Sequence, residues 1–277
     1  MKTKKRKAPL IPKTVTSLRK ARAITSSFHK LTSKAEEAKA RGDVKGLKAA
    51  RTELEALGGR QAYQEASIVT TSRSRHTSKW VFSKLTSLGM RPARGKQPLE
   101  LLEVGAVNTQ LLSVPWLAVR AIDLKSCHPR IEEKNFFDLR PEYNYGAVVC
   151  SMVINCVPSP EARGRMLKLL HQHVCPGGLV FLTLPLRCLT HSKNITWEQF
   201  AKVIESVGFV IESSKASPKV AFFCLQKPKT GEEARRPPPS ARGPPEGILC
   251  GKGPARATST FGVTLRDEAE LPATHGR

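Results

Sequence analysis

The sequence predicts an α/β fold, a mostly parallel sheet flanked by helices, preceded by a basic helical N-terminal region. Three observations predict it. From residue 99 onward short apolar runs alternate with helical segments, the grammar of strand–helix units in a parallel sheet. Before residue 99 apolar residues recur at helical spacing instead. The charge changes at the same place: residues 1–100 hold 24 Lys/Arg against 7 Asp/Glu, residues 101–228 hold 14 against 10, and residues 229–277 hold 8 against 6.

Residues 1–16 read as a disordered basic arm, with the run Lys4–Lys7 a nuclear-localisation patch. In the helical region, 17–98, Leu18, Ile24, Phe28 and Leu31 form one block, and Val44, Leu47, Leu54 and Leu57 a second. Gly42 separates the blocks and the glycines at 58 and 59 end the second. Further helices are expected at 61–67 and 78–89, the latter with Trp80, Val81, Leu85 and Leu88 on one side. In the domain 99–227, strands are expected at "LELLEV", "LAVRAIDL", "FFDL", "GAVVCSMVINCV", "GGLVFLTLP" and "AFFCLQK". Ser159-Pro160-Glu161 suits a helix start, and Thr196 with Gln199 suits a capping box. Residues 228–277 are rich in Pro, Gly and charge and read as a disordered tail without a packed core.

Composition narrows the function. No uncharged run approaches the roughly 18–20 residues that span a bilayer, and no membrane partner is expected. The net charge of +23 favours a polyanion, since each neutralised phosphate releases condensed counterions. Seven cysteines (Cys127, Cys150, Cys156, Cys175, Cys188, Cys224, Cys250) contain no C-x-x-C pair, which predicts a reduced compartment without disulfides. His171, His173 and Cys175 have metal-like spacing but no second ligand pair, and no metal is expected.

In an open parallel sheet ligands bind at the carboxyl ends of the strands, so the residues that close each strand carry the chemistry. The first run closes at Glu103 and Gly105, the second at Asp123, the third at Asp138, and the fourth between Ser151 and Asn155. Gly105 lets backbone approach a ligand, but the further glycines of a dinucleotide fingerprint are replaced by Ala106, Val107 and Asn108. A pyrophosphate therefore has no nest. Asp123, eighteen residues on, is placed to accept both hydroxyls of a ribose. Together these point to a nucleoside cofactor without phosphate, of which S-adenosylmethionine is the commonest, its amino-acid end at the Glu103–Gly105 loop. Asp138 is then expected to meet the adenine amino group or face the sulfonium.

The blocks "GGRQAYQEAS", "LLEVGAVNTQLL", "SMVINCVPSPEARGRML" and "LPLRCLTHSKNITWEQFAKVIESVGF", within residues 17–227, resemble the fungal 25S rRNA adenine-N(1)-methyltransferase family. The resemblance implies a Rossmann-like class I methyltransferase that takes S-adenosylmethionine and works on large-subunit ribosomal RNA, or the pre-60S particle, in the nucleolus. It also implies that Gly105 and Asp123 contact the cofactor. Animal relatives of the family serve as S-adenosylmethionine sensors. A sensor acting through protein partners and a non-catalytic RNA-binding assembly factor therefore stand as alternatives, with the basic arm favouring the RNA enzyme. For methyl transfer to adenine N1, Asn155 is the candidate that holds the Watson–Crick edge, the competing role being a cap on the turn before Pro158. Arg187, His191 and Asn194, after the fifth strand, are candidate substrate contacts, or simply a polar loop.

Overall fold

The computed structural model describes residues 17–71, 76–126, 128–141, 145–229 and 259–265. The basic arm, Cys127, Cys250 and most of the tail lie outside them. The described chain forms two compact units, one from residues up to 99 and 103–138, the other from 100–102 and 139 onward.

The first unit opens with four helices: α1 (Leu18–Ala40), α2 (Val44–Ala56), α3 (Gly59–Thr71) and α4 (His76–Ser87). The side chains of Ser17 and Asp43 cap α1 and α2, accepting from the amides of Lys20 and Gly46. Gly42, at φ +69°, supplies the left-handed turn between these helices that a side chain would strain. Phe28 of α1 stacks on Tyr63 of α3 with ring centroids 4.5 Å apart. In α4, Trp80, Val81 and Leu85 are buried as their spacing predicts, whereas Leu88 is exposed just past the helix end. The rest of this unit includes β2 (Leu117–Asp123), β3 (Glu132–Glu133) and half of β1 (Leu99–Val104).

The second unit holds β4 (Tyr145–Ser151), α5 (Pro160–His173), β5 (Val174–Pro185), the single turn α6 (Arg187–Thr190), α7 (Trp197–Ser206), β6 (Val210–Ala216) and β7 (Val220–Gln226). Both helix starts follow the sequence. Ser159 accepts from the Ala162 amide, and Thr196 and Gln199 form the reciprocal capping box. The core of this unit is Phe181, Phe200, Phe223, Leu167, Leu170 and their neighbours, with Trp197 packed 4.7 Å from Phe223. Trp80 and Trp197 are thus both packing residues.

Among the described residues the sheet has seven strands in the order β3-β2-β1-β4-β5-β7-β6. β2 pairs with β3 and β4 with β5 in parallel, while β7 runs antiparallel to both β5 and β6. Three sequence expectations are corrected. The run "FFDL" is a 3-10 turn, Phe136–Asp138, and the strand it was taken for is the polar pair Glu132–Glu133 just before it. The segment 210–216, assigned no strand from sequence, forms β6. Residues 259–265, inside the tail expected to lack packing, dock on α5 and on the loop after β5.

Candidate cofactor and substrate site

At the end of β1 the chain turns through Gly105, whose φ of +74° is open to glycine and strained for other residues. The amides of Gly105 and Ala106 both donate to the Ile122 carbonyl, at 2.9 and 3.0 Å, tying this turn to the end of β2. Just before it, Glu103 buries one carboxylate oxygen, Oε2, without a hydrogen-bond partner. Burial pushes its pKa up to about 8. With that pKa the group is mostly a neutral carboxyl at pH 7, and its unpartnered buried oxygen is left open to a polar partner.

Asp123 closes β2 and is 8% exposed. Its Oδ1 accepts from the Lys125 amide at 2.9 Å and from Nε2 of Gln64 at 2.7 Å. Among the described residues Oδ2 accepts nothing further. Burial raises the carboxyl pKa; the Lys125 amide, the Arg60 charge and Gln64 oppose that rise. Gln64, on α3, is a residue that strand-end reasoning missed, although it lies in the "GGRQAYQEAS" block. Its Nε2 also donates to the Lys125 carbonyl at 2.6 Å, so two acceptors fix the orientation of the amide. Its Oε1 is buried and unpartnered. Glu103, Gly105, Asp123 and Gln64 thus place two buried unpaired oxygens and one open carboxylate oxygen on a single unit.

Asp138 stands apart from this arrangement in kind. It ends a 3-10 turn instead of a strand, and its Oδ2 accepts from Nδ2 of Asn135 at 3.1 Å. The residue that directly follows β3 and its next neighbour, Lys134 and Asn135, occupy the place where the third strand end was sought.

In the second unit, β4 ends at Ser151, whose hydroxyl is 2.9 Å from that of Thr183 on β5. Met152 follows with φ +60°, the single positive-φ residue other than glycine among the described residues. Such a conformation is strained for a long side chain and clusters at functional sites. Nothing in the sequence signals it. Asn155 lies in the 3-10 turn Ile154–Cys156; its Nδ2 reaches the Cys156 sulfur at 3.4 Å, and its Oδ1 is buried without a partner. It does not cap the turn, which is closed by the Val157 amide to the Ile154 carbonyl and by Cys156 Sγ to the Met152 carbonyl. After β5, Arg187 is exposed in α6, and His191 pairs with the Thr190 hydroxyl at 2.8 Å. Asn194 donates to the Thr260 carbonyl at 2.8 Å. Five described cysteines are free, and burial lifts the Cys150 and Cys188 thiols to about 12, far from nucleophilic at neutral pH.

A sheet ordered β3-β2-β1-β4-β5-β7-β6 with an antiparallel β7, a glycine turn after β1 and an acid closing β2 defines a Rossmann-like domain of the class I methyltransferase type. A family model described as "Bmt2: 25S rRNA (adenine(2142)-N(1))-methyltransferase" matches residues 48–242, and the chain belongs to that family. A "25S rRNA adenine-N(1) methyltransferase" of Schizosaccharomyces pombe is 31% identical over 199 residues, covering 65% of this chain and 70% of the relative. A "25S rRNA (adenine(2142)-N(1))-methyltransferase" of Saccharomyces cerevisiae is 26% identical over 219 residues, covering 77% of this chain and 62% of that protein. The chain thus spans less than two thirds of the budding-yeast relative. A solved S-adenosylmethionine-dependent methyltransferase from Clostridium acetobutylicum aligns at 10% identity and a TM-score of 0.45, over 55% of this chain and 91% of that one.

Proposed function

We propose that the chain transfers a methyl group from S-adenosylmethionine to N1 of an adenine in large-subunit ribosomal RNA. The observation that carries the cofactor half is Asp123: a buried carboxylate at a strand end, pinned through Oδ1 by Gln64 and the Lys125 amide, with Oδ2 unused. That atom suits the ribose hydroxyls. The orphaned Glu103 oxygen and the open turn at Gly105 suit the donors and backbone of the amino-acid end. When bound, the cofactor supplies an electrophilic methyl on a sulfonium.

The rest is the chain's task. Adenine N1 is unprotonated near neutral pH and its lone pair is the nucleophile, so the chain needs to position the base more than to move a proton. Asn155 offers a buried, unpaired carbonyl oxygen as acceptor for the adenine amino group, and this amide also supports a reading of the Watson–Crick edge. The excess of 24 Lys/Arg over 7 Asp/Glu in residues 1–100 supports RNA as the partner, and a nuclear and nucleolar location with a pre-60S particle fits the same charge.

Calorimetry of S-adenosylmethionine binding, on wild type, Gly105→Arg and Asp123→Ala, tests the first half. Methyl transfer to deproteinised large-subunit rRNA, read as a reverse-transcription stop at N1-methyladenine, tests the second. Binding without transfer would turn the reading toward a sensor; RNA binding without cofactor binding would turn it toward an assembly factor.

A further inference from the structure

We propose that residues 259–265 act as a built-in clamp that holds the two substrate-side loops, after β4 and after β5, in one arrangement; its catalytic consequence rests on the functional reading above. The segment lies beyond residue 242, where the family match ends.

Three sets of contacts seat it. Along the β5 loop the backbone pairs reciprocally: the Lys193 amide donates to the Ser259 carbonyl and the Ser259 amide to the His191 carbonyl, each at 3.0 Å. The Ser192 hydroxyl donates to the Phe261 carbonyl, and Asn194 to that of Thr260. Two polar side chains that a solvated loop would leave free for other partners are therefore committed to the clamp. On α5, the Thr264 amide donates to the Pro160 carbonyl at 3.0 Å. Here Gly164 has a specific use: a Cβ at this position would collide with the Thr264 carbonyl oxygen.

Arg163 joins the loop after β4 to the clamp. It is 8% exposed, and no described carboxylate lies within ion-pair distance of it. Its Nε and Nη2 donate to the Val157 and Pro158 carbonyls, at 2.8 and 3.0 Å, fixing the segment that follows Asn155. Its Nη1 donates to the Gly262 carbonyl at 2.8 Å, and its guanidinium lies 4.7 Å from the ring centre of Phe261. A buried cation satisfied by carbonyls from two separate segments holds those segments in register. Phe261, 5% exposed, closes the contact against Phe200. Arg163 and Phe261 are positioning residues in this scheme, since neither is placed against a reacting atom.

The test uses the full chain with Gly164→Ala, which drives the clamp off while improving the intrinsic helix propensity of α5, and Phe261→Ala, which changes no residue of α5. Thr260→Ala is the control, because only the backbone carbonyl of Thr260 is used. In hydrogen exchange, the amides of Lys193, Ser259 and Thr264 are expected to be protected in wild type and in the control, and to exchange about tenfold faster or more in both variants. In methyl transfer to rRNA, both variants are expected to lose about tenfold or more in kcat with the S-adenosylmethionine Kd unchanged, the loss expected of a mispositioned substrate loop. Unprotected amides in wild type would overturn the clamp. So would variants that methylate at the wild-type rate despite fast exchange, or that methylate faster, the mark of an inhibitory cover. A wild type that is protected at these amides but never methylates RNA would leave the clamp standing and overturn the functional reading instead.

Discussion

The ends of β1 and β2 and the ends of β4 and β5 treat their polar groups differently. At the first pair, polar atoms are buried and left open: Glu103 Oε2 and Gln64 Oε1 have no partner, and Asp123 uses one oxygen of two. At the second pair most polar groups are spent inside the chain: Ser151 on Thr183, His191 on Thr190, and Ser192 and Asn194 on residues 259–265. Asn155 Oδ1 is the exception. Unpaired buried oxygens cost free energy in the empty protein, and a ligand that donates to them recovers that cost on binding. On the reading proposed above, the first region binds a small polar molecule and the second holds loops still around one free amide.

The largest expected effect breaks the first region. Asp123→Ala removes an acceptor for two hydroxyls, each charge-assisted bond being worth about 1.5–3 kcal/mol, so S-adenosylmethionine affinity should fall about 100-fold or more. Gly105→Arg should abolish binding, since it adds both a side chain at the turn and backbone strain. Calorimetry decides both, and near-wild-type affinity in Asp123→Ala would show that the carboxylate faces no ligand.

Gln64→Leu should weaken cofactor binding by about tenfold, one neutral-donor hydrogen bond's worth. The loss has a signature that simple unpacking lacks. Gln64 opposes the rise in the Asp123 pKa, so without it the carboxyl is protonated at higher pH and the affinity loss should grow as the pH is lowered. A pH-independent loss would mean that Gln64 only packs α3.

Glu103 sharpens the comparison through stability. Its folded pKa of about 8 stands above the ordinary value of 4.5. Between those values the folded protein binds a proton that the unfolded chain has released. Stability is thus fully present below about pH 4.5 and is lost as pH rises through 8. Glu103→Gln cannot ionise, so the difference in Tm between variant and wild type should grow in favour of the variant from pH 5 to pH 8. Other titrating groups act on both proteins and cancel in that difference.

The helices and the inner strands were legible because their signals are local or strongly apolar. The caps at Ser159 and Thr196, and the runs that became β1, β2, β4, β5 and β7, folded as their patterns say. The two strands missed, β3 and β6, are the edges of the sheet. Edge strands bury little; both residues of β3 are exposed, and β6 carries "ESSK" where an inner strand carries aliphatics. The apolar pair Phe136 and Phe137 drew the strand assignment away from Glu132–Glu133, and Asp138 with it. Residues 259–265 were hidden because composition averages over a window dominated by Pro, Gly and charge, while one Phe and six hydrogen bonds to their backbone suffice to dock them. Gln64 and Arg163 had no signal in spacing, since each acts on a partner distant in sequence.

The smallest effect separates the two regions most cleanly. Asn194→Ala removes one exposed side-chain hydrogen bond to the Thr260 carbonyl, which should cost roughly 0.5–1 kcal/mol of stability at most. Ser192 and the backbone pairs at Lys193 and Ser259 remain, so the clamp should stay seated. Cofactor affinity should not change, and methyl transfer should fall only as far as the loop loosens. If transfer instead drops about 100-fold with the loop amides still protected, Asn194 meets the RNA directly. The end of β5 would then resemble the end of β2, a place where a polar side chain is held for a ligand, and the contrast between the two regions would fail at that residue.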